Sequence, residues 1–292
     1  MSISVVTVLH DSAGQVGGMV DSLAALGDSE LQVICVDSGS RDGGDAIASR
    51  LGAEVIGMEG NPGYGAACNA GVAAATGEVC VLLNPDTRLL DGGLLALAGV
   101  AASERVILAP RLLNSDGTVQ RSAHPVPGRL DSVLAAVVPP RLIPGPIGTR
   151  LEPFRATRPV EVGWAIGACL VASTDLLREL GPFDPAVFLY GEDMDLCLRA
   201  RAAGVPVVYR PDVSVVHEGG SSTERALAQP ERLEMQARRR REVILEQLGP
   251  GALAVDDAAQ RLTFRLRSAS GRQRPRNEAL LEALDRAQKS PS

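Results

Sequence analysis

Three carboxylates, Glu192, Asp193 and Asp195, crowd into the stretch "FLYGEDMDLCLRA", among Met194, Leu196, Cys197 and Leu198. At helical spacing Glu192, Asp195, Leu196 and Arg199 share one face, and Asp193 projects from another. One or two acids in a first helical turn are explained by the helix dipole, which favours each by about 0.3–1 kcal/mol. A third adds repulsion without adding a cap. The surplus points to a carboxylate that acts as a base or binds a hydroxylated ligand.

Other chemistry-bearing residues sit where apolar runs stop. In "LLNPDTRL" Pro85 cannot continue a strand ladder, so Asp86 is presented at its end. There it either closes an Asx-type turn or offers a hard oxygen to Mg²⁺ or Mn²⁺. Asp37, closing "VICVD", either caps the following turn or accepts hydrogen bonds from a bound base or ribose. His217, between "VSVV" and "EGG", is either structural or a neutral imidazole ligand. "GYGAACNAG" (63–71) allows backbone to approach either a ligand or a packed neighbour closely.

These residues need elements to position them. Apolar runs at 2–9, 31–37, 53–59, 78–86 and 105–110 alternate with helical patterns at 12–26, 63–75 and beyond. Such alternation predicts a parallel sheet covered by helices, with ligands at the carboxyl ends of the strands. Those ends are His10-Asp11, Asp37-Ser38 and Asn84-Pro85-Asp86. Residues 124–154 are rich in Pro and Gly yet apolar, and read as an unusual loop. A strand at 161–173, helices at 174–180 and 191–203, and a strand at 205–210 follow. Residues 223–248 read as a charged helix carrying "RRRR" at 238–241. The polar tail from Ser268 reads as frayed.

Composition narrows the function. The formal net charge is −6, and Lys289 stands alone against 28 arginines. An acidic chain argues against general nucleic-acid binding. Five scattered cysteines spell neither a zinc ribbon nor a disulfide framework and fit reduced, buried thiols. No apolar stretch is long enough to predict a membrane-spanning helix, and the N-terminus reads as a strand. No phosphate loop, GxGxxG after the first strand, or GxSxG is present.

Taken in order, "VVTVLHDS", "VICVDSGSRDG", "NPGYGAACNAG", "LLNPDTRL", "VGWAIGACLVAS", "GPFDPAVFLYGEDMDLCLRARAAG" and "VVHEGGSS" resemble the inverting GT-A glycosyltransferases of family 2. The likeness is nearest to the bacterial rhamnosyltransferase branch that extends polyprenyl-diphosphate sugars, and it covers roughly residues 3–248. It implies a GT-A α/β fold with a mostly parallel central sheet flanked by helices and a C-terminal helical extension. Residues 1–222 would form the catalytic domain, with 1–110 as the nucleotide-sugar half and 111–222 as the acceptor half. Residues 223–267 would be the extension and 268–292 a flexible tail.

The resemblance also implies roles. Asp193 matches the catalytic base. Asp37, Asn61, Gly65, Asn69 and Asp86 match the nucleotide-sugar site. Trp164, Gly167, Ala168, Glu192 and Asp195 match the acceptor side, and Asp86 and His217 match the holders of Mg²⁺ or Mn²⁺. The first acid of the family's DxD element is absent here, and Leu9-His10-Asp11 replaces the usual Asn or Tyr-Asn. The implied activity is transfer of a sugar, such as L-rhamnose from dTDP-L-rhamnose, to a polyprenyl-diphosphate-linked saccharide. Alternatives are another hexose, such as galactofuranose from a UDP donor, or nucleotide-sugar binding without catalysis. The place implied is cytoplasmic, at the inner face of the membrane, and the apolar segment 124–154 beside the basic stretch 232–241 reads as the part that touches it. A nucleotidyltransferase is disfavoured because "LHDSAGQVGG" holds no Lys or Arg.

Overall fold

A computed structural model describes residues 1–27, 30–138, 142–143, 145–185, 187–219, 229–271 and 273–289. Strand β1 (Ser2–Leu9) is buried along almost its whole length. Its side chains alternate between two cores: Ile3, Val5 and Leu9 face one, and Val6 and Val8 the other. A strand apolar on both faces is what a parallel sheet sandwiched by helices requires. Strands β2 (Glu30–Asp37), β3 (Glu54–Gly57) and β4 (Val79–Leu83) run parallel to it.

Helices α1 (Ala13–Ser22), α2 (Gly44–Arg50), α3 (Tyr64–Ala74) and α4 (Gly93–Ser103) fill the connections. The small residues of α3 serve packing: a Cβ on Gly71 would lie 2.3 Å from Val6 Cγ1.

The sheet continues as β3-β2-β1-β4-β10-β6-β11-β5, using β5 (Thr87–Leu89), β6 (Ile107–Leu113), β10 (Cys169–Ser173) and β11 (Val207–His217). β8 (Val160–Glu161) joins beside β11, and β7 (Ala123–His124) pairs with β9 (Trp164–Ala165) in a separate ribbon. β10 is antiparallel to both β4 and β6, so β6 and β11 point the same way as β1 to β4. The sheet is therefore mostly parallel, as expected.

Several expectations are corrected. The "loop" at 124–154 contains helices α5 (Asp131–Val137) and α6 (Gly145–Leu151). The single strand at 161–173 is broken into β8, β9 and β10. The strand at 205–210 continues to His217, because a register shift between Arg210 and Ser214 accommodates Pro211. Helices α7 (Thr174–Leu180) and α8 (Glu192–Ala202) lie where the pattern put them.

The C-terminal part differs most. Helix α9 (Gln229–Ala269) bends at Gly249, where φ is 85°, just before Pro250. The tail is helix α10 (Arg274–Lys289), which buries Asn277, Ala283, Leu284 and Ala287 and packs on α9. Arg238–Arg241, in the stretch expected to touch a membrane, are paired within the protein: Arg238 and Arg239 with Glu242, Arg240 with Asp256 and Arg241 with Asp257. The expected boundary at 222/223, and the end of "VVHEGGSS", lie outside the described residues.

Candidate active site

The site forms along the carboxyl ends of the parallel strands. At the ends of β1 and β2, His10 Nδ1 lies 2.8 Å from the Ser38 carbonyl. Asn61 bridges to them: its Oδ1 accepts from Ser38 Oγ at 3.0 Å, and its Nδ2 faces His10 Nε2 at 3.3 Å. Asp37 Oδ1 accepts from the Ser40 amide at 3.2 Å, so one oxygen does cap the turn, as the simpler reading of that residue has it. Asp37, Asn61 and His10 thus share one rim.

The second cluster is Asp86 with His217. Antiparallel register places Thr87 opposite His217 across β5 and β11, and the Glu218 amide donates to the Asp86 carbonyl at 2.9 Å. His217 Nε2 lies 3.4 Å from Asp86 Oδ1, both side chains being nearly buried. Gln120 fixes the ring. Its Nε2 donates to the His217 carbonyl at 2.6 Å and to Asn114 Oδ1 at 2.8 Å, which turns its Oε1 toward His217 Nδ1 at 2.9 Å. In neutral His217, Nδ1 therefore carries the hydrogen, and Nε2 presents a lone pair to Asp86.

Two acceptors then face each other, and Asp86 Oδ1 is buried without a hydrogen-bond partner among the described residues. An orphaned carboxylate oxygen beside an imidazole lone pair fits a divalent cation, with Gln120 as the outer group that orients the histidine. Among the described residues no set of three or more His, Cys, Asp or Glu side chains gathers as a metal cage. Mg²⁺ commonly takes only one or two carboxylates from a protein and fills the rest of its shell with water and phosphate oxygens, so two protein donors are compatible with such an ion.

A hydrogen-bonded bridge joins this cluster to Asp193. The Asn84 amide donates to the Ala168 carbonyl at 2.9 Å. The Tyr64 hydroxyl lies 3.1 Å from Asn84 Oδ1 and 3.3 Å from the Gly167 carbonyl, and donates to one or the other. The Gly167 amide donates to Asp193 Oδ2 at 3.0 Å. A Cβ at Gly167 would come within 3.3 Å of Asp193 Cβ, so the close approach depends on glycine there. Asp86 and Asp193, far apart in sequence, are thus fixed to the same edge.

Burial holds the Asp193 carboxyl above its ordinary range, with the Gly167 and Met194 amides pulling it partly back. Glu192 is pushed up to about 8 by burial and then by Asp193, with Arg239 opposing. Its Oε2 is buried and unpartnered among the described residues. Glu192 also lines a cavity of about 360 Å³ with Asp184, Arg239, Glu242 and Glu246. Burial keeps the Tyr64 phenol protonated, well above its normal range.

The other expected residues have different surroundings. Asp195 is consumed by structure: Arg199 Nε donates to it at 2.7 Å and Gln247 Nε2 at 2.9 Å. Asn69 spends both ends of its amide on the backbone of Phe183, at 2.7 and 3.0 Å. Gly65 makes room for Phe183, whose Cβ is 3.0 Å from where its own would sit. Ala168 is buried in the core and contributes only its carbonyl. Trp164 is half-buried and stacks on His124 at 4.0 Å. The roles of Tyr64, Gln120 and His124 are not legible in the sequence, because nothing local to them marks a contact with distant residues; Asn84 is legible only as part of a strand end.

Residues 4–157 match the family model Glycosyl transferase family 2, more than half of the chain, and residues 154–245 match Glycosyl transferase family group 2. The chain belongs to glycosyltransferase family 2. Among relatives of this family 2 protein is the N-acetylglucosaminyl-diphospho-decaprenol L-rhamnosyltransferase of Mycobacterium tuberculosis (strain ATCC 25618 / H37Rv). It is 30% identical over 244 residues, covering 76% of this chain and 78% of the relative. Rhamnosyltransferase WbbL of Escherichia coli (strain K12) is 30% identical over 144 residues, 49% of this chain and 53% of its own.

Solved structures share the GT-A fold. Mannosyltransferase PcManGT from Pyrobaculum calidifontis, in complex with GDP-Man and Mn²⁺, aligns with a TM-score of 0.60 at 16% identity, covering 98% of this chain and 85% of that one. Glucosyl-3-phosphoglycerate synthase from Mycobacterium tuberculosis, in complex with Mn²⁺ and UDP, aligns with a TM-score of 0.54 at 20% identity, covering 85% and 80%.

Proposed function

We propose that this chain is an inverting, divalent-metal-dependent glycosyltransferase that moves L-rhamnose from dTDP-L-rhamnose to a polyprenyl-diphosphate-linked saccharide. The observation that carries the chemistry is the bridge from Asn84 through Tyr64 and Gly167 to Asp193, which sets the Asp86–His217 pair and a buried carboxylate on one edge. The donor and acceptor follow the names of the two rhamnosyltransferase relatives.

Asp86 and His217 would hold the cation, which when bound neutralises charge on the departing diphosphate. Asp37, Asn61 and His10 line the rim where the nucleotide binds. Asp193, ionised, takes the proton of the acceptor hydroxyl as its oxygen bonds to the sugar's anomeric carbon. The bond from that carbon to the diphosphate oxygen breaks, and a nucleoside diphosphate leaves from the opposite face. Single displacement inverts the anomeric centre. General-base help of this kind contributes about 10²–10⁴-fold.

Transfer assays with dTDP-L-rhamnose and other nucleotide sugars test the reading. Asp193→Asn should lose at least about 10²-fold in turnover and still bind nucleotide. Asp86→Ala should lose turnover and metal-dependent nucleotide binding together. Full turnover in both variants would sink the reading, and a different preferred donor would correct the sugar alone.

A further inference from the structure

Helix α5 carries its apolar stripe outward. Leu130, Leu134 and Val137 recur at i, i+4 and i+7 and so share one face of α5. They are 78%, 45% and 60% exposed. Leu142 and Ile147, which follow, are also exposed. An amphipathic helix normally buries this stripe. Here α5 packs on α9, and at its entry a Cβ on Gly128 would lie 2.5 Å from Ala252 Cβ. Arg150 pairs with Asp131 at 3.5 Å and ties α6 to α5.

Positive charge collects around this face, although the whole chain is acidic. Arg129 and Arg150 share Asp131. Arg121 and Arg155 share Glu152, at 2.8 and 2.6 Å, at the end of α6. Arg267 and Arg276 come in from α9 and α10. The Arg267 guanidinium is lowered by burial, then by the Arg121 charge and further by Arg276, with Glu152 opposing. Six arginines therefore accompany two carboxylates, leaving four positive charges in excess.

We propose that this face is a docking surface for an anionic bilayer, with Leu130, Leu134, Val137, Leu142 and Ile147 at the headgroup–acyl boundary and the surrounding arginines on lipid phosphates. Apolar side chains bordered by arginine match the interface of an anionic leaflet. A second copy of the chain fits less well, because it would bring the same arginines face to face. No described helix is long and apolar enough to cross a membrane. Arg240 and Arg241 contribute no excess charge, because each is matched by its own aspartate, Asp256 and Asp257.

The surface gains its use from the proposed lipid-linked acceptor, and on that point it rests on the reading above. His124, stacked on Trp164, is six residues from Leu130, a span of at most about 20 Å. An acceptor saccharide at the site and its prenyl chain in the bilayer are within reach of each other.

Co-sedimentation of the full chain with vesicles tests it. One set is phosphatidylcholine alone; the other adds phosphatidylglycerol. The wild type should pellet with the second set and be released by salt. Leu134→Glu with Val137→Glu should weaken binding at least tenfold, and Arg267→Ser with Arg276→Ser about fivefold per arginine. Both pairs should keep nucleotide-sugar binding and transfer to a water-soluble acceptor.

A wild type that stays in the supernatant with anionic vesicles overturns the surface, as does binding that neither pair alters. A dimer in solution that Leu134→Glu dissociates, without vesicle binding, reassigns the face to a second copy. Vesicle binding by a protein that binds no nucleotide sugar supports the surface and rejects the transferase reading instead.

Discussion

At the scale of single residues, the site depends on where protons sit. The Gln120 carboxamide forces the hydrogen of neutral His217 onto Nδ1 and so frees Nε2. Outer partners of this kind are typically worth 10–100-fold in metal affinity. Gln120→Ala should therefore weaken Mn²⁺ binding by about 10–100-fold, measured by titration calorimetry, while metal-free nucleotide binding stays unchanged. Glu192 makes a second case. Its carboxyl, raised to about 8, keeps a proton in the folded protein that the unfolded chain releases near 4.5. The native state then binds more protons than the unfolded state between those values, so Glu192 makes stability fall as pH rises through that window. Glu192→Gln, which mimics the protonated form, should unfold at a higher temperature than the wild type at pH 8 and differ little at pH 4. An equal gap at both pH values would show that Glu192 is not held protonated.

At the scale of elements, the acids of α8 divide between chemistry and architecture. Asp195 joins α8 to α9 through Gln247, and its partner Arg199 reaches the carbonyls of Leu180 and Pro182, at 2.5 and 2.8 Å. Arg240 likewise spans the bend in α9 to reach Asp256, whose side chain is almost wholly buried. Removing one partner of a buried pair strands the other charge and costs about 3–5 kcal/mol. Arg240→Ala should lower stability by that order in denaturant unfolding, whereas Arg274→Ala, which breaks an exposed pair with Glu278, should cost under about 1 kcal/mol. These cases also mark how far the sequence could be read. Strand–helix alternation shows in local periodicity, and so do the acids and the rim at Asp37 and Asp86. The partners are legible only where they are local: Arg199 lies four residues on, on the same face as Asp195, whereas Gln247, which completes the Asp195 pairing, and the glycine amide that holds Asp193 are distant in sequence. Helix α10 escaped notice because it buries mainly Ala283, Leu284 and Ala287, and its remaining surface is polar. Pro and Gly at the ends of α5 and α6 disguised two short helices as a loop.

For the molecule as a whole, one edge has to serve two halves of the sheet. β10, running antiparallel between β4 and β6, places the Gly167–Ala168 backbone beside Asn84 and so couples the nucleotide-side strands to α8. A donor bound across this seam would contact Asp37 on one side and the Asp86–His217 pair on the other, so it would stabilise both halves together. Ligand that binds only the native state adds RT ln(1 + [L]/Kd), about 2.7 kcal/mol at a hundredfold excess over Kd. In a chain of this size each kcal/mol moves the midpoint by about 2–4 °C, which predicts a rise of at least about 5 °C with dTDP and Mn²⁺ together. Asp86→Ala should erase the part of the rise that needs Mn²⁺, and Asp193→Asn should keep it, because Asp193 is bonded to Gly167 and not to the Asp86 cluster. A biphasic melt, with nucleotide shifting only its first phase, would instead mean that the two halves unfold separately and that the seam does not couple them.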